Sequence, residues 1–555
     1  MQSSDAAIHR RDSNLRHGLS WLAAIVAGAG VVGPAGRALG AEGSTNNATA
    51  DPVLGLMLEK GMITEDEAAK VQAQVDARRT NMAAQFSGSS SPWKISTGIK
   101  NLELFGDLRT RYEGRAYSDP GGDNIHLDRF RYAVRLGLRG EAFDDFYYGV
   151  RVETSANPRS SWVTLGTPSS SIPPSFGSTY QGPFGKTGGS IDIGQVYLGW
   201  RPESWFDFTV GKMPNPLYTT PMVWSSSLNP EGAAERFKYT VGEVDFFATF
   251  GQFIYADQNP NTASGGLGIN GLTGQSADNI FQIAWQGGLT YHITTNISAK
   301  VGATVYQYYG LQRSSLNNQA APYFGDPYVG EGAYTGPGTA NLINGYSGYG
   351  TSGNLLGYAS FGYPNNQVGL NNLTVLEVPF ELNFKISKLD ARLFGDVAYN
   401  FDGAQRARDA ATAYAAYLGN QLTPSTIRAF APQTRDVMAY QVGFAIGSQG
   451  ALGMVNGSTA KKHAWEARTY WQHVEQYALD PNLPDLDFFA GAQNMEGIYA
   501  AFAYGFSDNF IGTVRYGYAN RINNLLGTGG TGTDIPQINP IDHMDIFQVD
   551  LTFKF

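Results

Sequence analysis

Residues 544–555 (MDIFQVDLTFKF) alternate so strictly that few folds can accommodate them. In an extended chain Asp545, Phe547, Val549, Leu551, Phe553 and Phe555 share one face, and Gln548, Asp550, Thr552 and Lys554 share the other. A period of two with one apolar and one polar face fits a wall with lipid on one side and water on the other. Asp545, near the end of the stretch, is the exception. The terminal strand of a soluble sandwich carries the same pattern, so the terminus alone leaves two folds open.

The rest of the chain separates them. Residues 102–113 send Leu102, Leu104, Leu108 and Tyr112 one way and Glu103, Asp107, Arg109 and Arg111 the other. In 128–141, Phe130, Tyr132, Val134, Leu136 and Leu138 oppose Arg129, Arg131, Arg135 and Arg139. Each of these arginines would cost about 2–4 kcal/mol at a bilayer midplane, so their face must meet water. Further strands are expected over 145–155, 190–201, 205–212, 233–240, 243–255, 279–292, 295–309, 372–386, 389–401, 435–447, 461–474, 495–506, 509–519 and 543–555, making about 16 in all. Their connections alternate. Long ones span 114–127, 156–189, 213–232, 256–278, 310–371, 402–434, 475–494 and 520–542. Short ones include 143–144, 202–203, 241–242, 387–388 and 507–508, with 448–460 the longer exception. Short turns at one rim, long loops at the other and an even strand count describe an outer-membrane barrel, and sandwiches show no such rhythm. The expected fold is therefore all-β: a transmembrane antiparallel up-and-down β-barrel of about 16 strands, preceded by a small helical periplasmic segment. That width holds an aqueous channel.

Composition agrees with a barrel. Of 555 residues only 16% are charged, 68 are Gly, 31 Tyr, 31 Phe and none Cys, and alternation keeps the mean hydropathy at −0.25 although one face is apolar. Beyond the N-terminus no apolar run approaches the ~20 residues a membrane helix needs. A net charge of −9 gives no support to nucleic-acid binding. Residues 1–41 read as a signal peptide, with a basic start, an apolar run over 19–32 and small residues at 38–41. Residues 42–95 read as a periplasmic leader and linker, and 96–555 as the barrel. Within the leader, residues 51–79 pattern as two helices, the second opened by a Thr64–Glu67 capping box. This apolar stripe is too small to bury a core. It either packs as a coiled coil on a copy of itself or on peptidoglycan or another envelope component, or it is a loosely ordered lead-in.

No catalytic constellation emerges. The histidines at 126, 292, 463, 473 and 543 belong to no nucleophile elbow or His-Glu-x-x-His pair. The 119–124 loop (DPGGDN) departs from the EF-hand pattern. No enzyme activity, cofactor or metal is expected.

Three stretches carry a family resemblance. Gly211-Lys212-Met213-Pro214-Asn215-Pro216 is followed by Val223-Trp224 and by Asn229-Pro230-Glu231-Gly232-Ala233-Ala234-Glu235. The leader has an L-x-x-x-G-x-I-T-x-x-E-A pattern from Leu58 to Ala68, and residues 484–491 (PDLDFFAG) precede Gly497-Ile498-Tyr499. Together they resemble the "Putative porin" family of Gram-negative outer membranes. The resemblance implies a passive pore for small hydrophilic solutes and ions, set in outer-membrane lipid, and analogy with such pores implies a homotrimer. The final Phe555 resembles the signal read by the barrel-assembly machinery. Relatives often carry aspartates after the tryptophan where this chain has Ser225-Ser226-Ser227, which weakens any selectivity inferred from them.

On physical grounds the loop 213–232, stiffened by Pro214, Pro216, Pro221 and Pro230, is expected to fold inward as a fixed obstruction. Glu231 and Glu235 are then expected to face Arg109, Arg111, Arg131, Arg135 and Arg151 across a constriction. The alternative is that the two acids tie the loop to the wall and the arginines pair with neighbouring acids. Inward charges elsewhere have mixed sign, so weak ion selectivity is expected. A rival reading makes the barrel a structural tether whose long loop 310–371 contacts partners.

Overall fold

The computed structural model describes residues 98–119, 122, 124–143, 145–155, 160–166, 190–256, 280–309, 373–408, 436–528 and 541–555, together with 60, 64 and 70. The signal segment, almost all of 51–79, and loop 310–371 lie outside the described residues. The chain divides into two compact units, 1–94 and 95–555.

The described strands of 95–555 form one sheet. Its strands are β1 (Glu103–Ser118), β2 (Asn124–Ala142), β3 (Phe146–Ser155), β4 (Val163–Thr164), β5 (Ser190–Glu203), β6 (Phe206–Lys212), β7 (Glu231–Val241), β8 (Val244–Ala256), β9 (Ile280–Thr294), β10 (Ile297–Tyr309), β11 (Thr374–Ile386), β12 (Leu389–Asn400), β13 (Met438–Ser448), β14 (Trp465–Val474), β15 (Met495–Ser507), β16 (Phe510–Arg521) and β17 (His543–Lys554). Each long strand pairs antiparallel with its neighbours, and β1 pairs with both β2 and β17, which closes a barrel of 16 long strands. The two-residue β4 merely extends the sheet beside β2. Among the described residues of 95–555, helical structure is limited to a 3-10 turn at Met454–Asn456 and a helical turn at 403–408.

The alternation read from sequence is the barrel's inside and outside. On β17 Phe547, Leu551 and Phe553 are 42–43% exposed, whereas Gln548, Asp550 and Thr552 are 0%, 3% and 6% exposed. Asp545 stays on the outer face, where its carboxylate accepts a hydrogen bond from Tyr516 Oη at 2.7 Å. The seam joins Asp107 to Lys554 and Arg111 to Asp550. At the seam Gly106 and Phe555 exchange main-chain hydrogen bonds of 3.0 and 3.2 Å, and a Cβ at Gly106 would stand 2.4 Å from the Arg135 carbonyl oxygen.

Two expected connections differ. The first hairpin was expected to open at residue 114, but β1 and β2 stay paired to Ser118↔Asn124. The reason is an inner-face ion network: Glu113 contacts Arg115 at 3.0 Å and also pairs with Arg129, so Arg115, which reads as loop, is wall. The second concerns the inward loop, which ends at residue 230 rather than 232, because Glu231 already pairs with Lys212 in the sheet.

Candidate functional site

The inner face of β1–β3 is a wall of arginines held by carboxylates. Arg109 and Arg135 each contact Asp107 at 2.7 Å, Arg139 contacts Glu103 at 2.8 Å, and Arg151 contacts Glu153 at 3.2 Å. Farther along β1, Glu113 lies among Arg111 (3.6 Å), Arg115 (3.0 Å), Arg129 and Arg131 (3.7 Å), and accepts a hydrogen bond from Gln548 Nε2 at 2.7 Å. Arg111 is 3% exposed. It reaches Asp550 at 2.7 Å and Asp487 at 2.6 Å, and stacks 4.2 Å over the Trp162 ring. Arg515 also pairs with Asp550. Arginine suits this role because its planar fork serves two acids at once.

Two loops fold into the barrel and brace each other. In loop 213–230, Gln286 of β9 grips Tyr218 through two hydrogen bonds of 2.9 Å, to its N–H and from its own amide to the carbonyl. Thr219 Oγ1 donates to Glu377 at 2.6 Å, and Thr220 Oγ1 donates to Asp396 at 2.5 Å. The Lys300 ammonium sits 3.7 Å over the Tyr218 ring. The buried Trp224 ring meets Phe253 and Tyr306 at centroid distances of 6.0 and 6.2 Å. In loop 475–494, Asp480 accepts hydrogen bonds from Tyr255 (2.9 Å) and Tyr308 (2.6 Å) on β8 and β10, while Asp487 reaches Arg111 on β1. Since β10 is half the ring away from β1, this loop crosses the barrel interior. The loops join where Ser225 N–H donates to the Leu483 carbonyl (2.6 Å), Asp485 N–H to the Pro221 carbonyl (2.9 Å), and Ser225 Oγ to Asp485 (3.1 Å). Burial and the neighbouring Asp487 push the Asp485 carboxyl up to about 6. The Arg111 guanidinium holds Asp487 well below the usual carboxylate range despite its burial. A third insertion comes from the other rim: Met454 and Val455 of connection 449–464 are buried in the same apolar cluster, and Glu466 caps the turn by accepting from Gly453 and Val455 N–H at 2.8 and 2.9 Å.

Arg109, Arg111, Arg131, Arg135 and Arg151 thus share one inner wall. Glu231 and Glu235 do not face them, which corrects the expected constriction pair. Lys212 stands opposite both Val196 and Glu231, and directly opposed residues share a face. Val196 is 48% exposed on the outside. Glu231 pairs with Lys212 at 2.5 Å, and Glu235 accepts from Gln252 at 3.3 Å beside Phe208 and Phe250. Parity on β7 is set by Ala234 (0% exposed) and by Arg236, whose Asp207 contact is inward, so both acids face out. Most of the arginines pair instead with neighbouring wall acids, Asp107, Glu103 and Glu153, as the alternative reading has it, whereas Asp487 and Asp550, which meet Arg111, were not among the expected site residues. A Phe488-Phe489 pair inside a Pro-rich loop was the available signal, because exposed loops rarely carry adjacent large aromatics.

The family described as "Putative porin" matches residues 123–555, which excludes the leader. Among curated proteins none matches. Solved structures similar to the chain include OprB of Pseudomonas putida (11% identity, 82% of this chain and 94% of that one, TM-score 0.39) and an anion-selective porin from Comamonas acidovorans (9%, 82% and 99%, 0.37). OpdQ of Pseudomonas aeruginosa is similar at 12% identity, covering 83% and 99%, with a TM-score of 0.35. With the closed barrel, its apolar outer face and the matched span of 123–555, the chain belongs to the "Putative porin" family of multi-pass outer-membrane channels for small solutes.

Proposed function

We propose that the barrel is a water-filled channel for passive diffusion of small hydrophilic solutes and ions, narrowed by loops 213–230 and 475–494 acting as one brace. The observation that carries this is the chain of contacts from Glu377 through Thr219, then Ser225 and Asp485, to Asp487 and Arg111. It ties the two loops to each other and to opposite walls, a fixed constriction of the kind that sets pore size. The arginines of β1–β3, including Arg109, Arg111, Arg131, Arg135 and Arg151, then line the wet side. Planar-bilayer recording of the refolded chain tests the reading. Stepwise, ohmic conductance is expected, and insertion without conductance refutes it.

The outward group of Lys212, Glu231, Glu235 and Gln252 supports a homotrimer in which this side of the barrel meets a neighbour. Charged and amide groups facing lipid near the middle of the wall are costly, and a protein surface would remove that cost. Residues 1–41 serve as the signal, residues 51–79 as a periplasmic attachment to the envelope, and Phe555 as the mark for the barrel-assembly machinery.

A further inference from the structure

At the rim of short turns, on the arginine wall, lies a cavity of about 660 Å³. Arg135, Arg139 and Arg151 from β2 and β3 line it, with Lys554 from β17 and Lys461 from the inserted connection 449–464. Three lining carboxylates oppose these five cations: Glu103, Asp107 and Asp508. The cations remain in excess if the terminal carboxylate of Phe555 is added. The acids are also already engaged. Glu103 is clasped by Arg139 through two hydrogen bonds of 2.8 Å, and Asp107 stands between Arg135 and Lys554 across the strand pairs. Asp508 accepts the Lys462 N–H at 2.7 Å. Arg151 is likewise paired, with Glu153 at 3.2 Å, so the ammonium ends of Lys461 and Lys554 dominate the cavity field. Low-dielectric walls of β-sheet concentrate that field along the opening.

From this geometry we infer that the cavity is a binding site for small anionic solutes bearing carboxylate or phosphate groups, and that these are the solutes the channel favours. The lysines supply charge on adjustable stems, and Arg135 and Arg151, held by Asp107 and Glu153, add their remaining N–H groups for carboxylate or phosphate oxygens. The site is open to solvent. A solute held there stays hydrated and can leave, as conduction requires. This deepens the channel reading and rests on it for the transport claim.

The test uses the full chain refolded in detergent, with Lys461, Lys554 and Arg151 replaced together by Gln. In bilayers under a KCl gradient the wild type should pass chloride over potassium, and the triple variant should lose at least half of that permeability ratio. Inorganic phosphate should reduce the chloride current of the wild type at concentrations several-fold lower than those needed for the variant. Current that favours potassium, or a ratio unchanged in the variant, overturns the anion site while leaving the channel intact. If the protein carries no current, the channel reading fails. Calorimetric titration with phosphate then decides the site separately: binding that the triple variant loses supports it, and no binding overturns it.

Discussion

Replacing Thr219 and Thr220 together by Val removes two hydroxyls and keeps both side-chain shapes. In the folded chain these hydroxyls donate to Glu377 (2.6 Å) and Asp396 (2.5 Å), and both acids are fully buried on the inner wall. The two buried acids lie side by side and share one negative charge, so one bond is worth roughly 1.5–3 kcal/mol and the other roughly 0.5–1.5, and the pair holds the 218–220 stretch by about 2–4 kcal/mol. Glu377 retains the Tyr306 hydroxyl at 2.5 Å. The stretch itself retains two hydrogen bonds with Gln286, the Thr220 N–H bond to Glu377 at 3.3 Å and the Lys300 contact on the Tyr218 ring. Those anchors are worth about 3–4 kcal/mol in total. The substitution thus removes about as much as it leaves, and the stretch should leave the wall often enough to appear as added open-channel noise and higher mean conductance in single-channel recordings. A Thr219→Ser, Thr220→Ser chain keeps the donors and should behave as wild type, and a heat-modifiability gel confirms that each barrel is folded. If the Val pair folds and its conductance and noise match those of the Ser pair, loop 213–230 does not shape the pore as argued.

Asp487→Asn should weaken the anchoring of loop 475–494, because Arg111 keeps Asp550 but loses one charged partner, a loss of about 1.5–3 kcal/mol. Faster protease cleavage within 475–494, with the barrel itself intact, is the expected result. Acidification should steady the brace. The Asp485 carboxyl, raised to about 6 from an ordinary value of 3.8, adds its full share to loop docking below about 4 and loses it as pH rises through 6. Channel noise should therefore fall between pH 7.5 and 5 with an inflection near 6, and Asp485→Asn should abolish that inflection. Glu235→Leu with Gln252→Leu should dissociate an oligomer on unboiled gels if a neighbour covers this face. Unchanged migration places the face in lipid.

The barrel was legible in the sequence to a large extent. Sixteen alternating stretches became sixteen long strands, and Phe547 and Gln548 took the faces their parity required. Alternation reports burial directly when one face meets lipid and the other water. Where an inner face is ionic, as at Arg115, the same rule looks like loop, because the network that neutralises those charges draws on neighbouring strands. Glu231 and Glu235 show the other failure. Both were expected to face the arginines, Glu231 from the loop and Glu235 from the strand after it, and the pairing of Glu231 with Lys212 puts both on the outer face.

Local order thus came from the sequence alone: the two-residue period, the short and long connections, and the arginine face of β1–β3. These depend only on side chains within a few residues of one another. The brace across the interior and the acids that meet Arg111 come from residues far apart in the chain, Arg111 with Asp487 and Thr219 with Glu377. Only barrel closure brings them within hydrogen-bond range, because it sets β1 opposite β10 and lets a loop rooted at β14 reach both.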